Sequence, residues 1–260
     1  MNQLPILISN RFIRLTGNLF KILSYPFHWV LPNVRFEIPS YSPAKVKRDG
    51  EAAIPRVIWQ TNFTNKCTLP MYLNYLFNRL MSLNCDYRYV STEERDIYLK
   101  KHASLEIYDA YSRLTDGAAQ ADMWRLFVLY TEGGVYMDID ATLVWPLDRV
   151  LGAEKKALYV KVSKNTEITN YFIASKPKNK ELKDCVYQVV KNINNYDPKN
   201  GVYNTTGPAV LNMILKKYSV NTIDRKFACI QGSFTNEYFQ YMDKPRGKWI
   251  HQDSNKLVKK

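Results

Sequence analysis

Two carboxylates separated by one residue, Asp138 and Asp140, are the part of this sequence best suited to chemistry. They close a short apolar run, residues 135–139, which predicts a strand with the carboxylates at its end. Ligands of α/β domains bind outside the carboxyl ends of the strands, so a binding crevice is expected here. Carboxylate oxygens suit a divalent cation, Mn²⁺ or Mg²⁺, that keeps some waters and also binds a diphosphate. A bare Asp-x-Asp is also compatible with an acidic turn, so the surrounding sequence is needed to distinguish a cation site from a turn.

A second polar pair lies inside the element that precedes the two carboxylates. Residues 116–134, DGAAQADMWRLFVLYTEGG, predict a largely buried helix with Asp116 as N-cap and a glycine pair at its end. Asp122 and Arg125 are three residues apart and share one face of that helix. Because buried charge is costly unless it is paired or used, the pair is either a structural salt bridge or faces a polar ligand. The neighbouring carboxylates favour the ligand.

The block AAQADMWRLFVLYTEGGVYMDIDATLVWPLD resembles the signature of glycosyltransferase family 32: Asp-x-x-Arg, an apolar run, then Gly-Gly-x-Tyr-x-Asp-x-Asp. That family includes yeast-type α-1,6-mannosyltransferases, α-1,4-galactosyl- and N-acetylglucosaminyltransferases, bacterial capsule and lipopolysaccharide transferases, and toxin domains. Three further stretches fit in order: residues 54–58 an opening strand, 170–175 a mid-domain strand and 206–208 a late substrate loop. The resemblance therefore covers residues 54–251.

The resemblance implies a GT-A (Rossmann-like) fold, a divalent cation and a nucleotide-sugar donor, expected to be a UDP-sugar. It also implies retention of anomeric configuration and a glycan or lipid-linked acceptor in surface polysaccharide biosynthesis. Asp140 is expected to ligate the metal, Asp138 to contact the metal or the ribose, and Asp122 and Arg125 to hydrogen-bond the donor sugar. His251 either completes the metal shell, touches the phosphate or is a plain surface residue.

Two stretches differ from the pattern of the family. Where its first strand usually continues as His-Gln-x-Trp, this chain has WQTN at residues 59–62, so Trp59 or Phe63 is expected to stack on the base. In the family the C-terminal His is often followed by Gly-Ser-Trp, whereas Trp249 precedes His251 here. The remaining predicted site residues are Gln60, Gly134 and Tyr136 for the donor and Asn170, Thr206, Gly207 and Pro208 for the acceptor or substrate loop.

Two other classes of protein stay open on the sequence alone. A metal-dependent nucleotide-sugar hydrolase or nucleotidyltransferase would use the same cation and diphosphate, although the additional carboxylates or the glycine loop typical of those enzymes are not evident. A basic membrane- or nucleic-acid-binding module without catalysis would explain the charge but gives the polar residues of the central block no joint role. Because RNA-recognition and zinc-finger signatures are absent from the sequence, no nucleic-acid partner is expected.

Composition agrees with a single catalytic domain plus an accessory segment. The chain of 260 residues is 46% hydrophobic and 13% aromatic, which is typical of a globular protein with one sizeable core. A net charge of +13 favours phosphates or an anionic membrane as partners. The four cysteines are widely spaced and form no Cys-x-x-Cys pair, so reduced core thiols are expected rather than a zinc site.

The amino terminus predicts an amphipathic basic helix at a membrane interface. On a helical projection of residues 8–23, Arg11, Arg14 and Lys21 lie opposite a broad apolar face. That face consists of Ile8, Phe12, Leu15, Leu19, Phe20, Ile22 and Leu23. The aromatic residues that follow suit the headgroup level, whereas the charges exclude a spanning helix. The alternative is a surface helix docked on the catalytic domain.

These features predict a cytoplasmic enzyme, peripheral at the inner face of the membrane and bound to an anionic surface through residues 8–29. Removal of residues 1–30 is therefore expected to release the protein from anionic vesicles and to spare activity on a soluble acceptor.

Residues 31–53 predict a linker, because Pro32, Pro39, Pro43 and a charged run break the periodicity. The membrane-associating segment and linker are accordingly placed at residues 1–50 and the GT-A domain at residues 51–260. Further strands are predicted at 87–90, 158–162 and 171–174, and further helices at 92–102, 181–193 and 208–218, the last capped by Thr206. This alternation predicts an α/β domain with a mostly parallel sheet.

Overall fold

The computed structural model of the protein describes residues 3–47, 52–152, 155–162, 167–245, 247–251 and 253–259. Residues 48–51 of the predicted linker, and with them the predicted domain boundary between residues 50 and 51, lie outside these ranges.

Ten α-helices occur in the described ranges: α1 (Gln3–Val30), α2 (Leu69–Leu80), α3 (Thr92–His102), α4 (Leu105–Arg113), α5 (Gly117–Thr131), α6 (Leu147–Leu151), α7 (Lys180–Asn194), α8 (Gly201–Thr205), α9 (Pro208–Leu215) and α10 (Glu237–Gln240). The strands there are β1 (Phe36–Glu37), β2 (Tyr41–Ser42), β3 (Val57–Thr61), β4 (Lys66–Cys67), β5 (Asp86–Val90), β6 (Gly134–Met137), β7 (Ala141–Leu143), β8 (Ala157–Lys161), β9 (Ile168–Ser175), β10 (Thr222–Asp224) and β11 (Cys229–Gln231). Short 3-10 turns span Pro198–Asn200, Arg225–Phe227, Trp249–His251 and Ser254–Lys256.

The centre of the molecule is a seven-stranded sheet in the order β10-β8-β9-β6-β3-β5-β2. Strand β3 is parallel to both β5 and β6, and β8 is parallel to β10. Strand β9 is antiparallel to both neighbours, and β2 is antiparallel to β5. All strands of this sheet except β2 and β9 therefore run in one direction, which confirms the predicted α/β class with a mostly parallel sheet. Two small antiparallel pairs, β1-β4 and β7-β11, flank it.

Both faces of the sheet are covered, and residues of β6 alternate between the two cores. Val135 and Met137 join one core with residues of α2, while Tyr136 joins the other with residues of α5 and α7. This alternation follows from the two-residue period of a strand. The three residues beyond β6, 138–140, therefore follow a strand that is buried on both faces, which fixes the position of the Asp-x-Asp motif.

Helix α5 begins and ends where the sequence predicts. The Asp116 carboxylate caps its start, since Oδ1 accepts the backbone N–H of Ala119 at 2.9 Å. Gly133 and Gly134 follow its end with φ of +70° and +102°, a region that favours glycine. A Cβ atom on Gly134 would lie 2.6 Å from Val57, so the contact with β3 also requires glycine. These local constraints place β6 directly after α5.

The structure differs from the prediction at the linker and at one helix cap. Strand β2 lies within residues 31–53 and forms the edge of the main sheet, so this stretch is only in part a linker. Strands of two residues are too short to give a detectable period. Gly207 occupies the N-cap of α9 instead of Thr206, whose hydroxyl donates to Asp122 at 3.2 Å. The ends of α3, α7, α9, β5, β8 and β9 agree with the prediction to within three residues.

Helix α1 packs along the domain. Ile6 and Ile13 complete a small core with Val144, Ile230 and Phe234. The predicted apolar face of the helix is nevertheless exposed in full, from Ile8 to Leu23. Removal of α1 would therefore also open a core, because the face of the helix opposite the exposed one contributes Ile6 and Ile13 to it. No helix in the described part of the chain is apolar over enough length to cross a bilayer.

Candidate active site

A cavity of about 650 Å³ opens at the carboxyl ends of three neighbouring strands. Its lining includes Thr61 at the end of β3, Thr92 after β5 and Asp138 after β6. The first turns of α5 and ten of the described residues from Gln231 to Lys248 form further parts of the wall. These ten residues are Gln231, Gly232, Thr235, Asn236, Glu237, Gln240, Tyr241, Lys244, Gly247 and Lys248. Its position matches the general ligand site of α/β sheets, and its volume lies in the range of about 300–1,000 Å³ that is typical of ligand pockets.

Asp138 is held in place through both its side chain and its backbone. The Tyr136 hydroxyl donates to Asp138 Oδ1 at 2.7 Å, and Arg125 Nη1 lies 3.3 Å from the same oxygen. The Asp138 N–H donates to the Tyr171 carbonyl at 2.9 Å, while the Asp138 carbonyl accepts from Gln60 Nε2 at 3.0 Å. The other carboxylate oxygen, Oδ2, faces Gln231. This arrangement fixes the direction of the carboxylate at the floor of the cavity.

Gln231 joins the two carboxylates of the motif. Its Nε2 donates to Asp140 Oδ1 at 3.0 Å and lies 3.5 Å from Asp138 Oδ2. Gln231 ends β11, whose pairing with β7 sets it opposite Ala141, next to Asp140. Sequence reasoning missed this residue because the pairing joins positions 90 residues apart, and no local pattern marks it.

Asp122 and Arg125 form the centre of a buried network in the same cavity. Arg125 Nη2 lies 3.0 Å from Asp122 Oδ1, which also accepts from Asn170 Nδ2 at 2.9 Å. Asp122 Oδ2 accepts from the Thr206 hydroxyl at 3.2 Å. Arg125 Nη1 donates to the Asn170 carbonyl at 2.8 Å, and its guanidinium lies 4.4 Å from the centre of the Tyr136 ring. The pair is thus both a structural salt bridge and part of the cavity lining.

Burial and nearby negative charge raise the pKa values of two acidic groups of the site, Asp140 and Asp122. Burial raises the pKa of Asp140 to about 6, and the neighbouring Asp138 charge adds to this shift. Burial likewise raises the pKa of Asp122 to about 7, against the opposing effect of the Arg125 charge. A carboxylate with a raised pKa next to a second one, as Asp140 is next to Asp138, is typical of a functional site. A cation bound between these two residues would favour the ionised form of Asp140.

The donor set fits Mn²⁺ or Mg²⁺. Asp138 and Asp140 offer hard carboxylate oxygens that already share one hydrogen-bond donor. Within the described residues, no group of three or more His, Cys, Asp or Glu side chains could hold a metal ion. A cation on two carboxylates takes its other ligands from water and phosphate, as Mg²⁺ commonly does in proteins. The site therefore suits a cation that binds together with a phosphorylated ligand.

Most residues predicted from the sequence line this one cavity. They are Phe63, Asp122, Arg125, Tyr136, Asp138, Asp140, Asn170, Gly207 and Pro208. Five others do not belong to the lining: Trp59, Gln60, Gly134, Thr206 and His251. Gln60 and Thr206 still act on the site, because they hold Asp138 and Asp122 respectively.

The structure places Trp59 in the core. Its indole Nε1 donates to the Gly133 carbonyl at 2.9 Å, and its ring packs edge-on against Trp124. The prediction that Trp59 stacks on a base is therefore wrong, and Phe63 is the alternative that the cavity retains. His251 lies on the surface with Nε2 3.7 Å from Glu237, so the structure does not bring it to the two aspartates.

Arg95 is a cavity residue that the sequence did not single out. Its side chain is buried, with Nη2 donating to the Thr92 hydroxyl at 2.8 Å and Nη1 to the Gly117 carbonyl at 3.3 Å. It forms no salt bridge with any residue that the structure describes, and burial lowers its pKa. Arg95 belongs to the run Glu93–Asp96, EERD, which in a sequence reads as a solvated helix face. Lys244, with Nζ 5.6 Å from the centre of the Phe63 ring, adds positive charge at the cavity wall.

Comparison with known proteins agrees with this site. Residues 70–158 match the family model described as glycosyltransferase sugar-binding region containing DXD motif. The match includes Asp122, Arg125, Asp138 and Asp140. The predicted resemblance to this group of glycosyltransferases is confirmed.

The chain is 24% identical over 215 residues to mannosyl phosphorylinositol ceramide synthase SUR1 of Saccharomyces cerevisiae, a match of 79% of this chain and 54% of that protein. It is 27% identical over 130 residues to the initiation-specific alpha-1,6-mannosyltransferase of Candida albicans, a match of 45% of this chain and 34% of that protein. The chain thus spans about half or less of the length of these curated relatives. A solved structure, PaToxG glycosyltransferase, superposes with a TM-score of 0.50 at 15% identity, over 83% of this chain and 80% of that one. This likeness confirms the GT-A fold.

Proposed function

We propose, for a chain that carries a glycosyltransferase sugar-binding region at residues 70–158, the transfer of a sugar from a nucleotide diphosphate donor to a glycan or lipid-linked acceptor. The observation that carries the proposal is the convergence of two pairs in one cavity. Asp138 and Asp140 provide oxygens for a cation, and Asp122 and Arg125 line the same cavity beside them. Arg125 contacts both Asp122 and Asp138, so the proposed sugar and metal sites are adjacent.

Each group of the cavity then has a part in the reaction. A cation on Asp138 and Asp140 would supply Lewis-acid stabilisation of the departing diphosphate. Asp122 and the guanidinium of Arg125 orient the donor sugar, and Asn170 fixes both of them. The cavity-lining lysines, Lys244 and Lys248, and the buried Arg95 add a positive field toward the diphosphate.

The reaction is proposed to retain the anomeric configuration without a covalent intermediate on the protein. Among the described cavity carboxylates, Asp122 is engaged by three donors and Asp138 and Asp140 face the cation site. Glu237 pairs with Lys248 at 2.6 Å, which lowers its pKa. Attack from the front face, with the departing phosphate taking the acceptor proton, needs no further carboxylate.

The donor and the reaction class are tested by ligand-dependent stability and product analysis. We expect UDP-sugars with Mn²⁺ to raise the melting temperature, since a ligand that binds only the folded state stabilises it. GDP-sugars form the matched series, because the two curated relatives are named for mannosyl transfer. A glycosylated product that requires acceptor supports the transferase. Release of free sugar with no acceptor-dependent product would favour a nucleotide-sugar hydrolase instead.

The outer face of α1 is proposed to bind an anionic bilayer on the cytoplasmic side of the membrane. Phe12 and Leu15 are 66% and 71% exposed, and they lie within a continuous apolar face. In a docked surface helix the apolar face points to the core, whereas here it points outward. Arg11 and Arg14 are exposed beside this face and complement anionic headgroups. A continuous apolar patch of this kind marks an interaction surface, and an acceptor linked to lipid would lie in the same plane.

Replacing Phe12 and Leu15 by serine is expected to weaken binding to anionic vesicles by about 10-fold or more per residue, because full burial of such side chains contributes about 1.5–3 kcal/mol. Binding should also weaken with salt, since each basic residue near such a surface contributes about 1 kcal/mol. Co-sedimentation of intact proteins with vesicles measures both effects. Leu105→Ser on α4, at a leucine that is 90% exposed, is the matched control. Equal sedimentation of all variants would refute membrane docking through α1.

A further inference from the structure

The inner face of α1 lies against the stretch that brings Gln231 to the two aspartates. We call residues 229–240, from the start of β11 to the end of α10, the wall segment. It contributes Gln231, Gly232, Thr235, Asn236, Glu237 and Gln240 to the cavity lining. Any shift of this segment therefore changes the surroundings of Asp138 and Asp140.

The backbones of α1 and the wall segment are in direct contact. A Cβ atom on Gly17 would lie 2.9 Å from both the carbonyl carbon and the carbonyl oxygen of Ser233. Lys21 is predicted to lie with Arg11 and Arg14 on the basic side of the helix. In the structure it turns toward the domain, and its Nζ donates to the Gly232 carbonyl at 2.9 Å. Burial lowers the pKa of Lys21. The helix thus has a glycine where its backbone meets that of the wall segment, and a lysine that donates to the wall segment.

Aromatic contacts continue this interface toward the end of the wall segment. Phe20 stacks on Phe234 with ring centres 6.2 Å apart, and Tyr25 contacts the Phe239 ring at 4.7 Å. The Tyr25 hydroxyl accepts from Asn236 Nδ2 at 2.8 Å. Both ends of the wall segment are consequently held by α1.

The residue that Lys21 holds, Gly232, also contacts the Asp-x-Asp motif through its N–H. The Gly232 N–H donates to the Asp140 carbonyl at 3.2 Å, and the preceding residue, Gln231, donates to Asp140 Oδ1 at 3.0 Å. One glycine residue therefore connects Lys21 on one side with Asp140 on the other. This is a short, fully described path from the amino-terminal helix to the cation site.

We propose that α1 braces the cation site, with Gly17, Lys21 and Tyr25 as positioning residues that hold Gln231 and Gly232 against Asp140. This inference rests on the proposed function of Asp138 and Asp140. It gives the helix two separate tasks. The inner face sets the geometry for cation and diphosphate, while the outer face is free to bind the bilayer. The acceptor plane and the donor site are then linked through a single helix.

The test uses Gly17→Ala in the full chain, with Asn18→Ala as the matched control. Alanine is the better helix former, so loss of function in Gly17→Ala reports the close approach to Ser233 and not the helix itself. We expect calorimetry to give Mn²⁺-dependent UDP binding about 5- to 10-fold weaker for Gly17→Ala and unchanged for Asn18→Ala. Vesicle binding of Gly17→Ala should equal that of the wild type, whereas Phe12→Ser should show the opposite pattern.

Lys21→Met is the second variant, because it keeps an unbranched apolar stem and removes the ammonium group that donates to Gly232. We expect it to weaken Mn²⁺-dependent UDP binding as well, with Arg11→Met as the control for loss of one charge. A purely structural role would lower the melting temperature and leave this affinity unchanged well below it, which would overturn the brace. Absence of Mn²⁺-dependent UDP binding in the wild type would instead refute the proposed use of a UDP donor with a cation.

Discussion

Asp140→Ala is expected to abolish sugar transfer and divalent-dependent binding of the donor. The carboxylate is one of two that face the proposed cation, and a methyl group offers the cation no ligand. Loss of Lewis-acid stabilisation worth several kcal/mol corresponds to a rate decrease of about 10³-fold or more. Transfer rates and calorimetric binding of UDP, with and without Mn²⁺, measure the two effects on the same preparation.

Asp140→Asn separates charge from shape. Asparagine retains an oxygen that accepts from Gln231, so the fold around β11 is preserved while the charge is lost. We expect this variant to be nearly as inactive as Asp140→Ala, and Asp138→Asn to follow closely. Asp109→Asn removes an exposed carboxylate on α4 and controls for net charge. Full activity of Asp140→Ala, or wild-type activity in excess chelator, would contradict the metal site.

The central block could be predicted because its determinants are local. Asp116 caps α5, and Gly133 and Gly134 end it. Strand β6 then places Asp138 at the carboxyl end of the parallel strands. Each step follows from capping, glycine conformation or strand alternation over a few residues. The alternation of strands and helices likewise follows from local periods. The sequence therefore contains enough information for the fold class and for the four charged groups of the site.

Residues that reach the site through long-range pairing could not be predicted in this way. Gln231 depends on the β7-β11 pairing, and the role of Lys21 depends on the docking of α1. Trp59 shows the reverse case, since an aromatic residue within an apolar strand is equally compatible with a core position, and the bond to Gly133 places it there. Arg95 is hidden in a charged run.

The inner face of α1 shows that the two interpretations of this helix, membrane-interfacial and docked on the domain, do not exclude each other. Its buried stripe is Ile6, Asn10, Ile13, Gly17, Ser24 and His28. Polar members of this stripe find partners: Asn10 donates to the Lys226 carbonyl at 2.8 Å, and His28 Nε2 accepts the Leu69 N–H at 3.1 Å. A helical projection that considers only apolar residues does not detect a buried stripe of this kind, because most of its members are polar or glycine. The inner face of the helix is consequently occupied by the domain, and the exposed outer face is the one that we propose binds a bilayer.

Arg125→Lys is expected to lose most transfer activity, because lysine cannot reproduce the planar fork between Asp122, Asp138 and the Asn170 carbonyl. Since the side chain is buried and its partners would be left unpaired, the melting temperature should also fall. Stability alone therefore cannot distinguish a sugar-binding role from a structural one.

The distinction comes from comparing two ligands in the presence of Mn²⁺. If Arg125 and Asp122 hold the sugar, Arg125→Lys should bind UDP nearly as well as the wild type. It should lose the added affinity of the UDP-sugar by about 10- to 100-fold, the worth of one hydrogen bond to a charged group at about 1.5–3 kcal/mol. Arg79→Lys is the matched control: this arginine is also buried, donates to the Cys85 carbonyl at 2.8 Å and lies 5.5 Å from the centre of a tyrosine ring, but it is outside the cavity lining. It should lower stability without changing the ratio of the two affinities. The same ratio in Arg125→Lys and the wild type would show that the pair supports the fold and does not read the sugar.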